Sequence, residues 1–120
     1  MEYLALIYVD ENVYDNLSPA EQQAIHQEYM QVTQAFRDAG VWLDGRPLEG
    51  TSTATSIRIR DGKQTLTDGP YAETKEHLGG FYLFDCENLD EAVKYAAMIP
   101  GARYGTIEVR PVMPIPVTAS

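Results

Sequence analysis

Asp68, His77, Arg58 and Arg110 are the side chains of this sequence best suited to chemistry on a small molecule. Asp68 opens the tight turn Asp68-Gly69-Pro70. An ionised carboxylate there serves as a general base or as an anchor for a substrate hydroxyl. It serves equally well as a structural acceptor for backbone N–H groups two residues on. His77 follows Glu76 and precedes Gly79-Gly80, so a neighbouring carboxylate can orient a ring that titrates near neutrality. Tyr71, Glu73, Lys75 and Glu76 complete a charged loop after an extended segment, the kind of place where sites are carried.

Arg58 with Arg60, and Glu108 with Arg110, stand at alternate positions of two extended segments, so each pair projects from one side of its strand. Cross-strand or inter-subunit salt bridges are one use of such pairs. An arginine without a protein carboxylate instead holds a carboxylate or phenolate in bidentate fashion, and Arg58 and Arg110 are the candidates for that role. The expected site therefore has Asp68 and His77 as acid/base groups and Arg58, Arg110, Tyr71, Glu73 and Glu108 as substrate contacts.

Other chemistry is poorly supported. His26 borders a helical stripe, in line with Met30 and Arg37, and reads as a surface or interface residue. A metal site would need His26 and His77 to converge without an HxxxH or HExxH spacing, and none is expected. Cys86 follows an apolar strand and precedes Glu87, a setting that raises a thiol pKa and marks a core residue rather than a nucleophile. The chain has no GxSxG, phosphate-loop or dinucleotide fingerprint, so no cofactor is expected.

The elements that must position these residues follow from periodicity. Tyr3 to Val9 is a nearly continuous apolar run, as in a central strand. Asp10 to Leu17 is polar and turn-like. Ser18-Pro19-Ala20-Glu21 is a capping box with proline at the first helical position, and Ile25, Tyr29, Val32 and Phe36 form the apolar stripe of a helix over 18–39. Val41-Trp42-Leu43 predicts a short strand ended by Gly45, Pro47 and Gly50. Thr53 to Arg60 alternates as a half-buried strand, Asp61-Gly62 is a hairpin turn, and Lys63 to Thr67 is the partner. Gly79 to Cys86 is a second apolar strand. Asn88 with Glu91 caps a helix over 88–99, and Tyr104 to Val112 is the last strand. The tail 113–120 extends without joining a ladder, since Pro114 and Pro116 lack the donor.

This order forms two βαβ-like halves, the ferredoxin-like pattern of an α+β fold. Two helices cover one face of such a sheet. The other face is expected to mix Arg58, Arg60, Glu108 and Arg110 with apolar groups and to need cover from a partner or ligand.

A chain of 120 residues is one domain, and its 44% hydrophobic and 22% charged residues are ordinary globular values. Nine Lys and Arg against eighteen Asp and Glu leave a net charge of -9, which disfavours nucleic acid and anionic membrane surfaces. No apolar run approaches a membrane span, and the start MEYLALIYVDE carries acids where a signal peptide carries Lys or Arg, so a cytoplasmic protein is expected. The single cysteine excludes an intrachain disulfide.

The stretch Thr67-Asp68-Gly69-Pro70-Tyr71-Ala72-Glu73-Thr74-Lys75-Glu76, with Leu78-Gly79-Gly80-Phe81-Tyr82 after it, resembles the signature of the DGPF group of the YCII-related superfamily, which usually has Phe at the place of Tyr71. The likeness continues through Asp90-Glu91-Ala92, Ile99-Pro100-Gly101-Ala102 and Glu108-Val109-Arg110-Pro111-Val112. It implies a ferredoxin-like fold and a homodimer in which two sheets face each other as an α+β barrel. Some relatives pair a histidine of the first helix with a later aspartate as an acid/base dyad, and one removes chloride from a chlorinated hydroquinone. Here that helical position falls near Tyr29, a poor base at neutral pH, so the dyad is not carried over. Two functions stay open. One is a cofactor-independent lyase or isomerase acting by proton transfer on a small acidic or phenolic compound. The other is a non-catalytic dimer module that binds a small molecule or a protein segment.

Overall fold

The computed structural model describes residues 1–116. Of the tail expected over 113–120, residues 117–120 lie outside the described part. The elements in chain order are β1 (Glu2–Val9), α1 (Glu11–Asp15), α2 (Pro19–Asp38), β2 (Trp42–Pro47), β3 (Thr55–Arg60), β4 (Lys63–Asp68), β5 (His77–Asp85), α3 (Leu89–Ala96) and β6 (Thr106–Pro111), with 3-10 turns at Thr51–Thr53 and Pro100–Arg103. A four-stranded sheet runs β2-β5-β1-β6 with every neighbouring pair antiparallel. β1 and β2 are thus parallel with β5 inserted between them, the split βαβ arrangement of a ferredoxin-like α+β fold.

Strand alternation decides which residues enter the core. Tyr3, Ala5 and Ile7 of β1 are buried, as are Tyr82 and Phe84 of β5, and they meet Val32 and Phe36 of α2 and Ala92 and Ala96 of α3. Phe36 is the hub, with its ring edge-on to Tyr82 at 5.2 Å, Phe84 at 4.8 Å and Tyr95 at 6.0 Å. The capping signals act as the sequence implies. Ser18 Oγ accepts from Glu21 N–H at 3.2 Å while the Glu21 carboxylate accepts from Ser18 N–H at 3.1 Å. Asn88 Oδ1 accepts from Glu91 N–H at 2.9 Å.

Three expectations need correction. The segment after Asp10 is a short helix rather than a turn, because the Asp10 side chain caps it by accepting from Asn12 N–H. β2 extends through Gly45 and Pro47. It is an edge strand, where proline costs no ladder bond, and any Cβ on Gly45 would stand 2.9 Å from the Tyr82 ring. The largest correction concerns Arg58 and Arg60. Their strand does not join the main sheet: β3 and β4 form a separate two-stranded hairpin, turned by Asp61 and Gly62 at positive φ. The open face of the main sheet therefore carries Leu4, Leu6, Tyr8, Phe81 and Leu83, half-buried, with Glu108 and Arg110 of β6 but neither Arg58 nor Arg60. Among the described residues no helix is long and apolar enough to cross a membrane.

Candidate functional site

Three strand ends and two connecting segments meet at one edge of the sheet. β1 delivers Tyr8 on the open face, β5 begins with His77 and Leu78, and β6 begins with Thr106. The 70–76 loop crosses one side and the 48–54 segment the other. The latter is pinned by Glu11, whose carboxylate accepts from Thr51 N–H at 2.8 Å and Thr51 Oγ1 at 2.7 Å. The loop is anchored to the sheet by Thr106 Oγ1, which donates to Glu76 Oε1 at 2.9 Å.

Between these walls lies a cavity of about 520 Å³, a volume ordinary for a small-molecule site. Its apolar floor includes Leu48, Pro70 and Leu78, and its polar groups include Tyr8, Thr51, Glu76 and His77. A second recess, of about 540 Å³, adjoins it and shares Tyr8, Thr74 and Glu76, adding Lys75, Thr106 and Glu108. His77 differs from the other groups of the wall. Both its ring nitrogens are shielded from solvent and neither has a hydrogen-bond partner among the described residues. An imidazole carries hydrogen-bonding capacity at both nitrogens, so two such groups are unmet just behind the cavity surface that His77 lines. Leaving such groups unsatisfied costs on the order of 1–3 kcal/mol each.

The expected site residues divide accordingly. Tyr71 and His77 share the first cavity, and Glu108 lines the adjoining recess. Asp68, Glu73, Arg58 and Arg110 line neither. Arg58 approaches from the hairpin, with its guanidinium 6.0 Å from the centroid of the exposed Tyr71 ring. Arg110 sits opposite Leu4, towards the far end of β1 from Tyr8. Asp68 is exposed at the end of β4, and the turn after it is held by backbone and Ser56: Gly69 N–H donates to Ala54 O at 2.7 Å, and Ser56 Oγ donates to Gly69 O at 2.9 Å. Gly69 has φ +102°, which explains the glycine of the signature. Among the described residues no group of three or more His, Cys, Asp or Glu side chains is placed to hold a metal ion.

Tyr8, Thr51 and Thr106 are the contributors that sequence reasoning did not select, while Glu76 entered it only as part of the charged loop and as the neighbour of His77. Alternation along β1 already turned Tyr8 away from the helices, but the bond between Thr106 and Glu76 spans 30 residues and leaves no local trace. Tyr29, at the position where relatives carry the histidine, lies outside both cavities. Its Oη accepts from Gly101 N–H at 3.1 Å. Burial, with Tyr104 beside it, pushes the phenol well above the usual range and leaves it neutral. Cys86 is likewise pushed up, to about 11, by burial and then by Glu91.

A ferredoxin-like sheet covered on one face by helices, with two adjoining recesses at its strand ends bounded by a glycine-turn loop, defines a small α+β protein. The chain belongs to the YCII-related family, whose domain model matches residues 1–116. It is 38% identical over 113 residues to an uncharacterized protein of Rhizobium meliloti (strain 1021), a match that covers 92% of this chain and 91% of that one.

Proposed function

We propose that the strand-end cavity binds a small organic molecule and that the protein transfers a proton on it, as a lyase or isomerase would, with His77 as the acid/base group. The observation that carries this reading is the pair of shielded, unpartnered His77 nitrogens at the wall of a cavity of suitable volume. Because both nitrogens are shielded as the ring stands, the imidazole gains a hydrogen-bond partner only when it turns toward a ligand or water in the cavity. The lining favours one substrate class within the sequence expectation. Glu49 and Glu76 are its charged groups apart from His77, and neither Arg58 nor Arg110 lines it, so a neutral phenol or enolisable carbonyl compound fits better than a carboxylate. Tyr71 supplies an exposed aromatic face beside the mouth.

The test is a panel of small phenols and carbonyl compounds screened by thermal shift, followed by solvent-deuterium incorporation into any compound that binds. His77→Gln should keep most binding and lose deuterium exchange by at least about 100-fold, the scale of a lost acid/base group. A bound compound that stabilises wild type and His77→Phe equally would sink the assignment.

The open sheet face supports the accompanying reading that two copies assemble. Leu4, Leu6, Phe81 and Leu83 form a contiguous apolar patch rimmed by Asp44, Arg46, Glu108 and Arg110, a composition suited to an isologous contact. If no compound in the panel binds, a non-catalytic dimer module is the reading that remains. Light scattering on a dilution series decides the assembly, because a monomer throughout the micromolar range would remove it.

A further inference from the structure

We propose that residues 48–54 form a strap along one wall of the strand-end cavity and that Glu11 is the latch that holds it closed. A bound molecule is retained while Thr51 stays on Glu11 and escapes when that contact opens. The inference rests on the reading that the cavity binds a small molecule, and it adds how that site is kept shut.

The strap is hinged at both ends on strand ladders. At one end β2 stops at Pro47, and Leu48 N–H donates to Gly79 O at 2.9 Å. At the other end, where β3 begins, Gly69 N–H donates to Ala54 O at 2.7 Å, so the glycine of the signature turn is itself a hinge anchor. Leu48 to Thr51, Thr53 and Ala54 line the cavity. The span is thinly packed, with Thr51 and Ala54 half-buried and its other residues exposed. Its 3-10 turn is closed by internal bonds, from Thr53 N–H to Gly50 O at 2.9 Å and from Ala54 N–H to Thr51 O at 3.0 Å. Among the described residues, the only hydrogen bonds tying residues 49–53 to the rest of the chain are the two to Glu11. A segment with little buried apolar surface opens locally at far lower cost than the core. That one contact therefore decides where the wall stands.

The chemistry of the contact suits a latch. Glu11 Oε1 accepts from Thr51 N–H and Oε2 from Thr51 Oγ1, a two-point, charge-assisted contact that fixes one geometry. Glu11 lines neither recess, so it is a positioning residue that acts through Thr51. Its own place is firm. It opens α1 just after β1, whose Tyr8 lines the same cavity, and Asp10 caps that helix by accepting from Asn12 N–H at 3.0 Å. The strap also has slack to move. Its three-residue 3-10 turn rises about 2.0 Å per residue against about 3.4 Å when extended, so unwinding lengthens it by roughly 4 Å with both anchors in place. A molecule that touches Leu48 and Thr51 favours the closed strap, and by linkage the closed strap favours the molecule.

The experiment follows hydrogen exchange by mass spectrometry in full-length wild type, Glu11→Gln and Glu11→Ala, with and without two probes, phenol and cyclohexanone. Without a probe, Glu11→Ala should speed exchange over 48–54 by at least about 10-fold and leave β1 and β5 unchanged. Glu11→Gln should fall between, since its amide keeps one acceptor oxygen. Unchanged exchange over 48–54, or a rise shared equally by β1 and β5, overturns the latch, and probe binding in that case leaves the reading of the cavity standing. With a probe, wild type should gain protection over 48–54, and Glu11→Ala should bind the same probe at least about 10-fold more weakly through faster release. A tether with no hold on the bound molecule leaves that affinity unchanged, a result that overturns the gating. If wild type binds neither probe while its strap still responds to Glu11→Ala, the contact is a structural tether only, which also overturns the gating.

Discussion

The helix-covered side of the main sheet and the strand-end region with the β3–β4 hairpin obey opposite rules. In the first, Phe36, Phe84 and Ile99 have no solvent exposure, and the Tyr82 hydroxyl is bonded to Thr33 Oγ1 at 2.7 Å. In the second, Ile57, Ile59, Leu66 and Tyr71 are exposed and both His77 nitrogens lack partners. Stability resides in the layer that packs its own apolar groups, where Trp42 Nε1 is the one shielded side-chain atom without a hydrogen-bond partner among the described residues. On the proposed function, recognition falls to the region whose groups stay unsatisfied until something else arrives.

The sharpest way to break this comparison is a pair of substitutions. Phe36→Ala removes the hub of the aromatic cluster at a site with no exposure. It should cost about 3–5 kcal/mol in denaturant melts. Ile59→Thr on the hairpin should stay within about 0.5 kcal/mol for the monomer. Similar costs at both sites would mean that the two regions are not energetically distinct.

Alkaline pH should act on the first region. Cys86 sits near 11 instead of its ordinary 9, and burial also raises Tyr29, Tyr82 and Tyr104. The folded chain thus holds protons that the unfolded chain has released, and stability falls as pH climbs above about 9. For Cys86 alone, whose loss levels off once pH passes 11, the effect is on the order of 2–3 kcal/mol. Melts between pH 8 and 11 should show a shallower decline in Cys86→Ala than in wild type.

Tyr29→Phe is expected to cost about 1–3 kcal/mol, since it strands the buried Gly101 N–H. A neutral outcome would show that this phenol is not a structural acceptor. The signature turn offers the finest distinction. Gly69→Ala forces a side chain into positive φ and should cost about 1 kcal/mol. Asp68→Asn should cost less than about 0.5 kcal/mol, because its carboxylate is exposed and holds no bond among the described residues. If Asp68→Asn proves the more damaging, the turn depends on the carboxylate after all.

What the sequence determined by itself is whatever depends on neighbours a few residues away. The Ser18–Glu21 and Asn88–Glu91 caps, the Asp61-Gly62 turn and the period-two burial of Tyr3, Ala5 and Ile7 are local hydrogen bonds and alternation, and they place the helices and most strands. The signature residues likewise marked the loop that bounds the cavity. Tertiary structure decided which strands share a sheet. Nothing in Thr55–Asp68 distinguishes a hairpin that joins the main sheet from one that leaves it, because pairing energy is the same local ladder in either case. That choice separated Arg58 from Arg110, left Asp68 outside the cavity and brought Tyr8, Thr51 and the Glu76-His77 pair together from three distant segments. Convergence of this kind depends on packing across the whole chain.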